Sequence, residues 1–272
     1  MLNKQNLHIH TNFADGKDTP EEIVVEAIGR GFDSIGFSEH SYMSFSSYPY
    51  QMRVEETPSY IAEVMRLKEK YKGQIDIFCG MEQEYYSDLP TQSFDYVIGS
   101  AHYLDFHGKI LGFDGGSKET AEYIRDNFDG DGLAFARAYF DTVCRIPSKL
   151  RVDILGHFDL LAKNNEALKF IDESSKAYLD MGREVIHALK GKIPLFEVNT
   201  GCIPRGYRSR PYPAPEFLKE FHSCGYGVVI TSDCHDKNAL DAHYEEAEQL
   251  IAAAGFRSKW ILTDKGFVEV EL

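Results

Sequence analysis

The sequence predicts an α/β protein in which seven parallel strands close into a barrel. Three observations support this fold class: seven short apolar runs of strand-like composition, helical patterns in most of the gaps, and strands that are apolar on both faces. Such strands are typical of parallel sheets covered by helices. An open doubly wound sheet is the alternative, but neither the GxGxxG nor the GxxxxGK[ST] motif of nucleotide-binding sheets follows any strand.

The strand and helix candidates alternate along the chain. The helix after the first strand begins with Thr19, Pro20 and Glu22, which combine the spacing of a capping box with a proline at the first helical position. The helix after the second strand opens with a Thr-Pro pair and ends at Gly73. Strands are predicted at 7–10, 33–40, 75–85, 96–102, 152–158, 194–200 and 227–235, and later helices near 172–190, 214–224 and 238–254.

Residues 103–151 form a connection that is longer than a barrel loop requires. The stretch is rich in glycine and aspartate, and its pattern indicates one or two helices. We expect a single domain over residues 1–272, with this insertion lying over the mouth of the barrel, where α/β barrels carry their active sites.

The charge of the chain argues against a nucleic-acid partner. Its formal net charge is −14 with a pI of ≈ 5.2, and no basic patch of the size that nucleic-acid binders use is present. The nearest cluster is Arg205, Arg208 and Arg210, which suits one phosphate group. Of these three we assign Arg205 to the site and expect Arg208 and Arg210 to be solvated loop charges.

The spacing of the cysteines and the length of the apolar runs indicate the cellular compartment. Five cysteines without a CxxC spacing argue against a disulfide framework or a zinc ribbon. No run approaches the ~20 apolar residues of a membrane span, and the N-terminus lacks the pattern of a secretory signal. We therefore expect a cytoplasmic protein with no membrane partner, and the sequence leaves its oligomeric state open.

Histidines and carboxylates recur near the carboxyl ends of the predicted strands. His8 and His10 lie two apart on the first strand, so both point to one side, about 6–7 Å apart. Nine such groups share this placement: His8, His10, Asp15, His40, Glu82, His102, His157, Asp233 and His235. Four ligands serve one zinc ion, so nine indicate a metal cluster. Glu84 faces the same side as Glu82 and competes with it for a bridging position.

The motifs HIH, Asp15, SEH, GMEQEY, SAH, GHFD and SDCH occur in this order and resemble those of the PHP (polymerase and histidinol phosphatase) family. The resemblance covers nearly the whole chain, and residues 58–86 look like the histidinol-phosphate phosphatase branch. It implies a distorted seven-stranded (β/α)7 TIM-like barrel that holds up to three divalent metal ions, drawn from zinc, manganese and iron. A mixed histidine–carboxylate set does not choose among these metals.

Carried over residue by residue, the resemblance implies three metal sites. The first would use His8, His10, Glu82 and Asp233; the second Glu82 as a bridge with His102 and His157; the third Asp15, His40 and His235. It further implies catalytic roles for Asp15, Glu82, Asp233 and His235. Several family members have a histidine where this chain has Asp15, so the third site differs from theirs in one ligand.

The implied chemistry is hydrolysis of a phosphate monoester. Three divalent ions outweigh three carboxylates in charge, and hydroxide formed from water at the metals would attack phosphorus. We expect Arg205, with Asn199 beside it, to bind the phosphate, because a guanidinium fits phosphate oxygens. Glu39 is predicted to contact the substrate or a ligand. Residues 41–50, including Tyr48 and Tyr50, and the insertion would accommodate an ammonium and an imidazole.

The resemblance therefore predicts a histidinol-phosphatase of histidine biosynthesis, whose partner is a small phosphate monoester, L-histidinol phosphate. Two alternatives remain open at this point. A phosphoesterase of the same family could act on nucleotide or sugar phosphates, and a non-catalytic metal-binding or polymerase-accessory module would bind metal without turnover. Metal-dependent phosphate release separates these classes.

Overall fold

A computed structural model describes residues 3–46 and 50–272 of the chain. The strands, in chain order, are β1 (Gln5–Asn6), β2 (Ser34–His40), β3 (Asp76–Glu84), β4 (Tyr96–Ser100), β5 (Tyr103–Phe106), β6 (Lys109–Gly112), β7 (Ile154–Leu155), β8 (Leu195–Asn199), β9 (Gly227–Thr231), β10 (Ser258–Thr263) and β11 (Gly266–Glu271). Seven of them form one parallel sheet in the order β1-β2-β3-β4-β7-β8-β9. The pairs β5–β6 and β10–β11 are antiparallel hairpins.

The sheet closes on itself through a single parallel bridge between Ile9 and Cys234. The His10 N–H donates to the Cys234 carbonyl at 2.8 Å, and the Cys234 N–H donates to the His8 carbonyl at 2.9 Å. The predicted seven-stranded barrel is thus confirmed, and two of its strands, β1 and β7, span only two residues each. The first strand lies at Gln5–Asn6, whereas the sequence predicted it at residues 7–10. Within 7–10, side chains replace main-chain partners: the Asn6 side chain accepts from the His8 N–H, and the Ser38 hydroxyl accepts from the Ile9 N–H.

A tyrosine fills the barrel beneath the carboxyl ends of the strands. Tyr96 is fully buried, and its hydroxyl lies within hydrogen-bonding distance of the carbonyl oxygens of Leu7 and Phe37. The ring passes two glycines: a Cβ on Gly36 would lie 2.5 Å from the Tyr96 hydroxyl, and one on Gly80 2.3 Å from its ring. These glycines leave the space that an aromatic side chain needs inside so small a barrel.

The helices lie between the strands, at α1 (Pro20–Gly29), α2 (Thr57–Lys70), α3 (Ser117–Phe128), α4 (Gly132–Lys149), α5 (Asn165–Leu168), α6 (Lys176–Leu189), α7 (Pro215–Cys224) and α8 (Tyr244–Ala254). The capping box of α1 is present: the Thr19 hydroxyl accepts from the Glu22 N–H, and the Glu22 carboxylate from the Thr19 N–H. The last helix begins later than the predicted 238 because His243 adopts a left-handed backbone with φ +59°.

The stretch 103–151 contains the β5–β6 hairpin and two helices, α3 and α4. Tyr103, Gly112 and the turn 114–116 line the cavity at the barrel mouth. The helix α4 instead packs on the sheet, with Ile146 over Gly99 of β4, as the connecting helix of a β/α unit does. The insertion's boundaries and the single domain over 1–272 stay predictions. Within the described ranges, no helix is both long and apolar enough to cross a membrane.

Candidate metal centre

All nine groups predicted at the strand ends come together at one end of the barrel. Glu82, near the end of β3, lies at their centre and is 1% exposed. One carboxylate oxygen, Oε1, is 2.9 Å from His157 Nε2 and 3.4 Å from His102 Nε2. The other, Oε2, is 2.7 Å from His40 Nδ1, 3.5 Å from His8 Nε2 and 3.6 Å from His10 Nε2. A single carboxylate therefore faces five imidazoles.

Asp233 follows β9 and shares two histidines, His8 and His10, with Glu82. Its Oδ1 is 3.3 Å from His10 Nε2, 3.7 Å from His8 Nε2 and 3.5 Å from His235 Nδ1. Its backbone is left-handed, with φ +45°, an uncommon conformation for an aspartate within a packed core.

Asp15 reaches the cluster from the loop after the first strand. Its carboxylate oxygens lie 3.3 Å from His235 Nε2, 3.7 Å from His40 Nε2 and 3.9 Å from His10 Nδ1. The loop folds tightly back on the strand, and a Cβ at Gly16 would lie 2.3 Å from the His10 carbonyl oxygen. A glycine is needed at this close approach so that Asp15 can face the histidines.

The cluster divides into four overlapping groups in which the potential ligand atoms lie within 4.8 Å of one another. They are His10, Asp15, His40 and His235; His8, His10 and Asp233; His8, Glu82 and His157; and His40, Glu82 and His102. Several of these atoms are buried without a hydrogen-bond partner among the described residues: His8 Nε2, both ring nitrogens of His10, Asp15 Oδ1, Glu82 Oε2 and His157 Nδ1. Buried polar atoms are costly to leave unpaired, so this arrangement fits bound cations. Imidazole and carboxylate ligands suit zinc, iron and manganese.

The electrostatics of the cluster keep its central carboxylates ionised. Burial by itself raises the pKa of Glu82, but His40 and His102 lower it well below its usual value. Burial likewise raises the pKa of Asp233, which Arg205 and His8 bring far below the usual range. Both carboxylates are therefore anionic at neutral pH, as binding of a cation would require.

Two further carboxylates, Glu84 and Glu197, each contact the side chain of one histidine of the cluster. Glu84 accepts from the His102 N–H at 2.7 Å and lies 3.1 Å from His102 Nδ1, so it contacts one histidine from outside the cluster. Between the two glutamates of β3, the central position belongs to Glu82. Glu197 of β8 contacts His8 Nδ1 at 2.9 Å, and sequence reasoning missed it. The signal was a lone carboxylate within an otherwise apolar strand.

Of the residues predicted to contact substrate, Arg205 lines the cavity, whereas Asn199 and Glu39 do not. Arg205 lines the cavity and donates to Asp233 Oδ2 at 2.7 Å and to the Gly201 carbonyl at 2.8 Å. Asn199 is fully buried and does not line the cavity; its amide donates to Glu197, and its carbonyl oxygen accepts from the Gly201 N–H. It therefore shapes the loop that carries Arg205, which places it behind the surface that a substrate would touch.

Glu39 also lies behind the cavity surface. It is fully buried, and its oxygens accept from the N–H and hydroxyl of Thr11, next to His10. Burial raises the pKa of Glu39 to about 8. Of the two predicted roles, contact with substrate does not agree with this position, because successive residues of β2 face opposite sides and the neighbouring His40 faces the cavity.

Arg208 corrects a further expectation, since it is not a solvated loop charge. Its side chain is 0% exposed and donates to Glu173 and to the Ala162 carbonyl, each at 2.7 Å. Arg210 shares Glu173 with it at 2.7 Å. These partners come from distant segments of the chain, so local sequence did not reveal them.

Six groups of the cluster line a cavity of ≈ 360 Å³, namely Asp15, His40, His102, His157, Asp233 and His235. The other three, His8, His10 and Glu82, are buried and do not line it. Its walls include Lys163 and Asp114, whose charged atoms lie 3.5 Å apart, and four tyrosines: Tyr50, Tyr103, Tyr207 and Tyr212. Lys163 Nζ also lies 4.5 Å from the centre of the Tyr207 ring. Sequence reasoning missed Lys163 and Asp114. Tyr48, named with the aromatic run 41–50, lies outside the described residues.

Comparisons with known proteins identify the family and the fold of this chain. The sequence profile of the PHP domain matches residues 6–201. The histidinol-phosphatase of Lactococcus lactis subsp. lactis is 27% identical over 272 residues, covering 94% of this chain and 93% of that protein. A provisionally named histidinol phosphatase of Listeria monocytogenes has a TM-score of 0.79 at 22% identity, covering 89% of this chain and 99% of the other. The histidinol phosphate phosphatase of Lactococcus lactis, complexed with zinc, L-histidinol and phosphate, has a TM-score of 0.71 at 22% identity, covering 98% and 99%. Both of these solved structures share the fold of this chain.

Proposed function

Since the chain belongs to the PHP domain family, we propose that it is a metal-dependent phosphomonoesterase that hydrolyses L-histidinol phosphate to L-histidinol and phosphate. The observation that carries the proposal is the cluster of six histidines and three carboxylates at a cavity whose wall bears Arg205 and Lys163. The relatives named histidinol-phosphatase, one of them solved with zinc, L-histidinol and phosphate, support the choice of substrate.

We propose three divalent ions, held as the family resemblance implies. His8, His10, Glu82 and Asp233 would hold the first; Glu82, His102 and His157 the second; Asp15, His40 and His235 the third. Zinc, manganese and iron all suit these ligands, and their number and identity are part of the proposal. When bound, such ions neutralise phosphate oxygens and lower the pKa of water.

The chain's own cations complete the phosphate site. Arg205 is held by Asp233 and the Gly201 carbonyl, so its guanidinium is oriented before substrate arrives. Lys163 is held by the main-chain carbonyl of Asp114, 2.5 Å away. Among the described residues that line the cavity, these two are the side chains of fixed positive charge. They would bind the phosphate dianion and stabilise charge on its oxygens during displacement.

The remaining cavity wall suits an amino alcohol with an aromatic ring. Asp114 is a carboxylate outside the metal cluster, and its side chain is 32% exposed, which leaves it accessible to an ammonium group. Tyr50, Tyr103 and Tyr207 offer aromatic surfaces for an imidazole. In this arrangement the phosphate end of the substrate lies at the cluster and the amino end faces Asp114.

We place the enzyme in histidine biosynthesis and in the cytoplasm. The pathway follows from the proposed substrate alone. The five cysteines are unpaired in the structure, and four of them are buried. Free thiols agree with a reducing compartment.

The test is metal-dependent phosphate release from a panel of monoesters. Metal-free protein would be reconstituted with zinc, manganese or iron and assayed on L-histidinol phosphate, a nucleotide monophosphate and a sugar phosphate. We expect turnover of histidinol phosphate well above the others, abolished in His8→Ala but retained in His187→Ala, whose side chain is 62% exposed on α6. Preference for a nucleotide or sugar phosphate would replace the substrate. Metal binding without turnover would support the non-catalytic alternative.

A further inference from the structure

Glu197 lies directly beneath the metal-binding cluster, on the third residue of β8, and is 0% exposed. Its carboxylate accepts four hydrogen bonds. The donors are His8 Nδ1 at 2.9 Å, the His157 N–H at 2.7 Å, Asn199 Nδ2 at 2.9 Å and the Thr231 hydroxyl at 2.7 Å. They come from four different segments around the barrel, and two of them belong to predicted metal ligands.

Four donors occupy the full accepting capacity of an ionised carboxylate. An ionised carboxylate without a proton has nothing to donate, so the proton between Glu197 and His8 must be carried by the histidine. A glutamine at this position would instead present two N–H donors to groups that are themselves donors.

The contact determines which nitrogen of His8 faces the cluster. Nδ1 carries the proton that Glu197 accepts, so Nε2 carries the lone pair in the neutral ring. Nε2 is buried, has no hydrogen-bond partner among the described residues, and lies 3.5 Å from Glu82 Oε2 and 3.7 Å from Asp233 Oδ1. This is the orientation that a histidine needs to share a cation with those carboxylates.

The same carboxylate does not act on the other histidines in this way. His10 has no hydrogen-bond partner on either ring nitrogen within the described ranges, and Glu197 touches His157 through its main chain only. That main-chain bond anchors the chain just after β7, a strand of two residues. The tautomer effect is therefore specific to His8.

We propose that Glu197 is a positioning residue that keeps the His8 proton on Nδ1 and thereby leaves Nε2 available to bind a divalent cation. The inference rests on the metal centre of the proposed function but not on its substrate. Replacement by glutamine reverses the donor pattern: the amide N–H would donate to Nδ1, and the ring proton would move to Nε2, inside the metal site.

The experiment compares the zinc-loaded wild type, Glu197→Gln and Thr231→Val. The second variant removes one hydrogen bond to the same carboxylate and leaves the His8 contact in place, so it reports packing effects alone. Zinc affinity would be measured by chelator competition, without substrate. We expect Glu197→Gln to bind zinc about 10- to 100-fold more weakly and Thr231→Val to stay within about threefold of the wild type. Unchanged affinity in Glu197→Gln, or an equal loss in Thr231→Val, would overturn the proposal.

A second measurement needs no variant and covers the case in which Glu197→Gln fails to fold. Long-range ¹H–¹⁵N spectra of the zinc-loaded wild type report which ring nitrogen of His8 carries the proton. A proton on Nδ1 agrees with the proposal, whereas a proton on Nε2 refutes it. Wild type that binds zinc with the proton on Nδ1, yet releases no phosphate from histidinol phosphate, would refute the proposed substrate and leave this assignment intact.

Discussion

Replacing Asp114 by asparagine tests how the cavity would recognise the amino end of its substrate. At an effective dielectric constant of about 20, an ammonium about 4 Å from a carboxylate gains about 4 kcal/mol. Two features reduce this value: Lys163 lies 3.5 Å from the same carboxylate, and 32% of the Asp114 side chain is exposed. If about one third of the attraction remains, Asp114→Asn loses about 1.4 kcal/mol of transition-state binding free energy, which lowers kcat/KM about tenfold.

The assay compares L-histidinol phosphate with its analogue lacking the amino group. We expect Asp114→Asn to lower kcat/KM about tenfold for the first and less than twofold for the second, since only the first carries the ammonium. Asp105→Asn is the control, because Asp105 lies exposed on the neighbouring hairpin and does not line the cavity. Equal losses on both substrates would refute the recognition of the ammonium and assign Asp114 to holding Lys163 alone.

Three further outcomes follow from the geometry. Arg205→Lys keeps the charge but loses the planar fork, so we expect inorganic phosphate to inhibit about tenfold more weakly in competition assays; unchanged inhibition would exclude Arg205 from the phosphate site. Removal of metal by a chelator should abolish phosphate release, and readdition of one of the three proposed metals should restore it; activity that survives complete removal, checked by elemental analysis, would contradict metal dependence. Gly80→Ala should lower the free energy of unfolding, measured by denaturation, by about 1–3 kcal/mol, because the new Cβ would meet the Tyr96 ring. Gly29→Ala is the control: a Cβ at Gly29 meets nothing within 4 Å, so this variant should be as stable as the wild type or more stable.

The convergence of the ligands was predictable because parallel strands carry their carboxyl ends to one rim. Four histidines lie at or just beyond the carboxyl ends of β1, β2, β4 and β7: His8, His40, His102 and His157. These strands belong to one parallel sheet, so strand period and strand order bring the four side chains together. The same period places Glu84 on the same side as Glu82 and does not distinguish them. Three-dimensional register does: Glu82 pairs with His40 across β2–β3, whereas Glu84 lies two residues further towards the rim.

The surrounding contacts were not predictable, because they join segments far apart in sequence. Glu197 reaches His8 across 189 positions, and Lys163 reaches the Asp114 carbonyl across 49. The burial of Arg208 depends on Glu173 and on a carbonyl from the turn after β7. Local composition around Arg208 resembles a solvated loop, and only packing of the neighbouring segments removes it from water.

By itself, the sequence determines the parallel barrel and the set of polar groups that its strand ends present, since side-chain alternation and helix signals act over a few residues. The tertiary structure decides which carboxylate lies at the centre of the cluster and which side chains contact the predicted ligands. It also decides where side chains replace main-chain hydrogen-bond partners near the first strand. Those outcomes depend on distances of a few ångströms between strands, and such distances are set by packing of the whole barrel rather than by any one segment.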